Sequence, residues 1–152
     1  MNRSNKVLIA ILVLLIGIQF IQPAKNNKVT VTGIDITKVY TVPTNVQAVL
    51  KTACYDCHSN TTSYPWYTYM QPMGWWMNHH ITEGKSELNF SEFGNYSSRR
   101  QRSKLKSMSQ EIEDDEMPLS SYTLIHQDAK LSPTEKKLLL DWIDKQLGAL
   151  GN

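Results

Sequence analysis

Both cysteines of this 152-residue chain lie in one pentapeptide, Cys54-Tyr55-Asp56-Cys57-His58. The spacing is C-x-x-C-H, the attachment signature of a c-type haem. The chemistry explains the spacing. Two thiols on one turn can reach the two vinyl groups of a single porphyrin as thioethers, and the adjacent imidazole then falls beneath the iron. Cys54 and Cys57 are therefore the candidate anchors of a covalent haem c, and His58 is the candidate proximal ligand. Three other chemistries use similar residues. A Cys54–Cys57 disulfide would not need His58 and closes too short a loop to constrain much. A thioredoxin-like redox pair needs a βαβ context, which the helical pattern below does not offer. A zinc site built from Cys54, Cys57 and His79 or His80 lacks the usual paired ligand spacing.

A haem held by one protein ligand keeps a site for oxygen or peroxide, whereas a second strong ligand favours plain electron transfer. The inventory of second ligands is short. Met117 precedes Pro118 on a stretch that proline holds extended, and it is the favoured distal ligand. His80 is the alternative, because imidazole is the stronger iron ligand. Met73, Trp75, Trp76 and Met77 read as core and as a wall of the haem crevice. His126, in a polar segment, reads as a surface or structural residue.

Other elements must position these groups. Val7 to Ile21 (VLIAILVLLIGIQFI) is nearly unbroken apolar sequence after Arg3 and Lys6. It reads as a signal or anchor segment over residues 1–24, in length between a signal-peptide core and a full span. Gln22 stands where cleavage after Ala24 would want a small residue, which favours a retained anchor. Either way the following domain is expected outside the cytoplasm, membrane-anchored facing the periplasm or free within it. Residues 25–43, rich in Thr and Val, read as an extended tether on the domain surface.

From residue 44 to 152 the periodicity is helical. Thr44 or Asn45 is expected to cap a short helix with Val46, Val49 and Leu50 on its apolar face. A second helix carries Met73, Trp76, Met77 and His80 on one face, with Gly84 as its expected C-terminal cap. A third runs from Ser97 to Ile112 with Leu105, Met108 and Ile112 as its stripe. The last opens on Ser132, Pro133 and Glu135, a capping box with proline at the first helical position. The fold class is all-α.

Composition narrows the function further. The chain has 16 Lys+Arg and 14 Asp+Glu. Arg3 and Lys6 precede Lys25 and no acidic residue does, so the remainder is electrically neutral. That gives no reason to expect a nucleic-acid partner. Leu, Ile, Val and Phe make up about 20% of the chain from Lys25 onward, a low level for a packed core. A bound apolar cofactor that completes the core fits that shortage.

The chain resembles the small bacterial haem-binding domain proteins related to class I c-type cytochromes. The likeness runs from about Asn45 to Leu147 and rests on CYDCHSNTTSYPWY, HHITEGKSELNFSEF and MPLSSYTLIHQDAKLSPTE. It implies class I cytochrome c-like helices around one haem, in a membrane-associated protein outside the cytoplasm. The order of Met117-Pro118 before the final helix is similar to the distal Met-Pro arrangement of class I cytochromes. The function expected is that of a mono-haem c-type cytochrome transferring one electron between unidentified redox partner proteins. A haem enzyme or sensor with an open distal site, peroxidase-like or gas-binding, is the alternative.

Overall fold

A computed structural model describes residues 2–27 and 33–150. Part of the expected tether, residues 28–32, lies outside them. Among the described residues the protein is all-helical and carries no strand. In chain order the helices are α1 (Arg3–Ile18), α2 (Ile36–Val39), α3 (Thr44–Ala53), α4 (Tyr55–His58), α5 (Met73–Glu87), α6 (Ser98–Glu113), α7 (Ser120–Thr123) and α8 (Pro133–Ala149). Short 3₁₀ segments occur at Trp66–Tyr69, Phe90–Asn95 and Gln127–Ala129.

The longest C-terminal elements start where their caps put them. The Ser132 hydroxyl accepts from the Glu135 amide, and the Glu135 carboxylate accepts from the Ser132 amide at 2.8 Å. Two of the N–H groups that a helix end leaves unpaired are satisfied in this way, and losing such a cap costs about 1 kcal/mol. Ser97 caps α6 by accepting from the Arg100 amide. α3 differs from expectation: the capping position is Pro43, with no side-chain bond, while the Asn45 side chain turns back on the Val46 amide. Helix α6 packs on α8, α3 packs on both α4 and α8, and α4 lies against α5.

One hydrophobic core runs through these contacts. Leu105, Met108 and Ile112 of α6 meet Leu139, Trp142 and Ile143 of α8 and Val46 and Leu50 of α3, with Phe90 and Phe93 beside them. Ile36 is fully buried in the same core, so the described part of residues 25–43 is not an extended surface strand throughout. Asp35 caps α2 by accepting from the Thr37 amide, and Ile34 is stitched to the 3₁₀ segment through the Gly94 amide at 2.8 Å. A Cβ at Gly94 would lie 2.5 Å from the Ile34 side chain, which is why the approach needs glycine there.

The apolar N-terminal anchor helix expected over residues 1–24 is not found as a membrane-crossing element. α1 has 16 residues, which at 1.5 Å per residue gives about 24 Å, against about 30 Å of bilayer hydrocarbon. Among the described residues no helix is long and apolar enough to cross a membrane. The physical reason is its end: the helix stops at Ile18, three residues before the apolar run finishes, and Gln19 bonds to Gln71 of the domain.

Candidate functional site

The C-x-x-C-H turn sits where α3 ends. Cys54 closes α3, its amide bonding to the Leu50 carbonyl at 2.9 Å, and the His58 amide bonds to the Cys54 carbonyl at 2.9 Å. Both thiols are free. Burial pushes the Cys54 thiol up to about 12 and the Cys57 thiol up to about 11, the neighbouring Cys57 and Asp56 adding respectively to the effect. Each is therefore a neutral thiol at physiological pH, unlike the low-pKa cysteine of a redox-active pair. Among the described residues no group of three or more His, Cys, Asp and Glu side chains is placed to hold a metal ion.

His58 is positioned as metal-ligating imidazoles commonly are. Its Nδ1 donates to the Leu88 carbonyl at 3.0 Å, which leaves Nε2 as the basic nitrogen. Burial lowers its pKa, against the raising effect of the Leu88 and Gly84 carbonyls, and so favours the neutral ring that a metal needs. The Phe90 ring packs edge-on to it at 6.1 Å.

Cys54, His58 and Met117 all line one cavity of about 270 Å³ between the motif and α6. Its walls are mainly apolar, including Leu88, Phe90, Met108 and Ile112. A second cavity of about 340 Å³ shares Met117, Pro118 and Leu131 with the first, so the Met117 loop is the partition between them. The donor set fits a haem: a neutral imidazole, a thioether and a thiol facing one apolar space. The first cavity alone is slightly below the roughly 300 Å³ at which ligand clefts begin, and displacement of the shared loop would add the second. Of the basic residues 99–106, Lys104 lines the first cavity, mostly buried and 3.4 Å from the Glu87 carboxylate.

Two expected participants lie elsewhere. Cys57 is not among the residues lining the cavity; it lies against α5, where a Cβ on Gly84 would be 3.0 Å from the Cys57 carbonyl oxygen. Gly84 is thus an interior residue of α5 that permits close helix contact, and the helix continues past it to Glu87. His80 does not line the cavity either. Its ring stands edge-on to Trp76 at 4.5 Å, with a buried Nε2 that has no hydrogen-bond partner. His79 pairs with Glu83 on the exposed side of α5. The crevice wall expected from Met73 and Trp76 is not formed: both are exposed, and the buried face of α5 is Gly74, Met77 and Ile81. Their apolar character had pointed inward, but Phe90 and Met108 occupy that place.

A polar network escaped the sequence reading. The Tyr122 hydroxyl donates to the Asp56 carboxylate at 2.9 Å, and the Tyr122 ring stacks on His126 at 4.3 Å. His126 Nε2 in turn bonds the Tyr67 hydroxyl. This ties α7, just after Met117-Pro118, to the middle of the C-x-x-C-H turn and so holds the Met117 loop beside His58. No local signal reveals it, since the partners are 66 residues apart. Burial, then the Asp56 carboxylate, push the Tyr122 phenol well above its ordinary value, so it remains a donor at any physiological pH.

The Gly84 contact gives a direct test of the packing. Gly84→Val places a branched side chain against the Cys57 turn, and overpacking of this kind costs about 1–3 kcal/mol. Denaturant titration of the variant should show that loss. Gly148→Ala, where an added Cβ meets nothing within 4 Å, should show none.

No curated protein and no solved structure matches this chain. The family described as the haem-binding domain matches residues 13–145, a span that contains α3 through α7, most of α8 and every cavity residue named above. The chain belongs to the haem-binding domain family, and haem is the cofactor for which its residues are suited.

Proposed function

We propose that the protein is a mono-haem c-type cytochrome, a one-electron carrier at the outer face of the cytoplasmic membrane. Cys54 and Cys57 would hold the haem through thioethers, with His58 and Met117 as axial ligands. The observation that carries this reading is that His58 and Met117, 59 positions apart in the sequence, line the same apolar cavity. When bound, haem supplies a one-electron iron couple. The chain's own residues do the remaining work. Leu88 fixes the His58 ring through its carbonyl, the Tyr122–Asp56 bond steadies the loop bearing the thioether, and the apolar walls exclude water, which together set the potential. Lys104 is the cation available to a propionate. Cys57 must turn from its place beside Gly84 to join the second vinyl group.

Location outside the cytoplasm rests on the apolar, N-terminally basic segment. The test of the electron-carrier reading is an optical spectrum of the purified protein, oxidised and reduced, with and without carbon monoxide. The expected result is a low-spin spectrum in both states, insensitive to carbon monoxide. A wild-type iron that binds carbon monoxide readily would replace the carrier with the haem enzyme or sensor, for which the second cavity behind Met117 would be the ligand space.

A further inference from the structure

The stretch Trp66 to Trp76 exposes five large apolar or aromatic side chains: Trp66 at 76%, Tyr69 at 53%, Met70 at 55%, Met73 at 38% and Trp76 at 40%. Beyond residue 21, the only other exposed large hydrophobics among the described residues are Ile34, Leu124 and Ile125. The stretch itself carries no formal charge, with no Lys, Arg, Asp or Glu from Ser59 to Asn78. A concentration of this kind on a small domain marks an interaction surface.

The foot of α1 identifies what covers it. The Gln19 side chain donates to the Gln71 carbonyl at 3.1 Å and accepts from the Gln71 amide at 2.9 Å. Gln22 donates to the Tyr69 carbonyl at 3.2 Å, and Trp75 Nε1 donates to the Ile21 carbonyl at 2.8 Å. The exit of the apolar helix is therefore bonded to the backbone of the patch itself. Lys25 follows directly, its ammonium 3.1 Å from the centre of the Tyr69 ring.

We propose that Trp66, Tyr69, Met70, Met73 and Trp76 form a membrane-docking surface that seats the domain in the lipid headgroup interface at the foot of α1. The proposal rests on the reading that α1 enters a bilayer. α1 is about 6 Å too short for the hydrocarbon core at 1.5 Å per residue, so its end must be drawn below the headgroup level. Whatever is bonded to that end is drawn in with it. Trp and Tyr are the residues that reside at this depth, with an apolar ring and a polar edge, and Lys25 stands where an anionic headgroup would meet it. A polar surface at the same place would oppose insertion.

The test reconstitutes the full-length haem-loaded chain in phosphatidylcholine vesicles containing phosphatidylglycerol and a lipid with a photoactivatable diazirine near its headgroup. After flotation and irradiation, labelled peptides are mapped by mass spectrometry. Labelling of both α1 and the Trp66–Trp76 peptide is expected, and the double variant Trp66→Ser/Trp76→Ser should lose most of the second while keeping the first. Both tryptophans are exposed, so the variant should retain the helical circular dichroism of the parent. Flotation with α1 labelled and Trp66–Trp76 unlabelled would overturn the docking surface while leaving attachment through α1 intact. A chain that fails to float would overturn attachment and the docking surface together.

Discussion

Met117→Ala should leave the haem on the polypeptide and change nearly everything else about it. The sulfur is the only thioether besides Met108 among the residues lining the cavity with His58, and Met108 is mostly buried in the hydrophobic core on α6. With the sulfur gone, the charge-transfer band between sulfur and ferric iron should vanish and carbon monoxide should bind the reduced protein. The reduction potential should fall by on the order of 0.1 V or more, within the roughly 0.8 V over which axial ligands set haem potentials. Spectroelectrochemistry reads all three effects. His80→Ala should do far less, because His80 lies outside the cavity beside Trp76. The reverse pattern, with His80→Ala removing the sixth ligand and Met117→Ala silent, would make imidazole the distal ligand.

Cys54→Ser/Cys57→Ser should abolish covalent attachment, so that acidified organic solvent extracts all the haem from the polypeptide. Each single substitution should leave one thioether and move the reduced α-band to longer wavelength, because one vinyl group then stays conjugated with the ring. The fold depends on the same chemistry. Leu88, Phe90, Met108 and Ile112 face the cavity as well as the core, and ligand bound to the native state stabilises it by mass action. A covalently held haem cannot dissociate, so the double variant should also melt at a lower temperature. Thermal unfolding followed by circular dichroism checks this second effect.

How far the sequence discloses such a molecule depends on whether the relevant signal is local. The capping box at Ser132 and Glu135 and the Leu105, Met108, Ile112 stripe are contained within single helices, and each is found in the structure as the spacing implies. The C-x-x-C-H motif is equally local, which is why its residues could be named at once. Met117 is a candidate on the strength of its loop and its Pro118 neighbour alone, but its place on the same cavity as His58 goes with the Tyr122–Asp56 bond, which spans 66 residues. Periodicity states which residues share a helix face and is silent on which face meets another element. For that reason Trp76 and Met73 were expected inside, while the structure turns Gly74, Met77 and Ile81 inward and leaves the larger pair exposed. Gly84 shows the same limit: its composition fits a helix terminus, and only the approach of α4 reveals that it makes room for Cys57. The burial of Ile36 was likewise hidden, because a four-residue helix is too short to display a period.

The mass of the denatured wild-type polypeptide, expressed together with a c-type haem maturation system, tests the central claim most directly. If Cys54 and Cys57 hold the cofactor by thioether bonds, the mass after denaturation should equal that of the chain plus one haem, with no free thiol left to alkylate. A polypeptide of unmodified mass with two alkylatable thiols, obtained where a control cytochrome is matured normally, would contradict it.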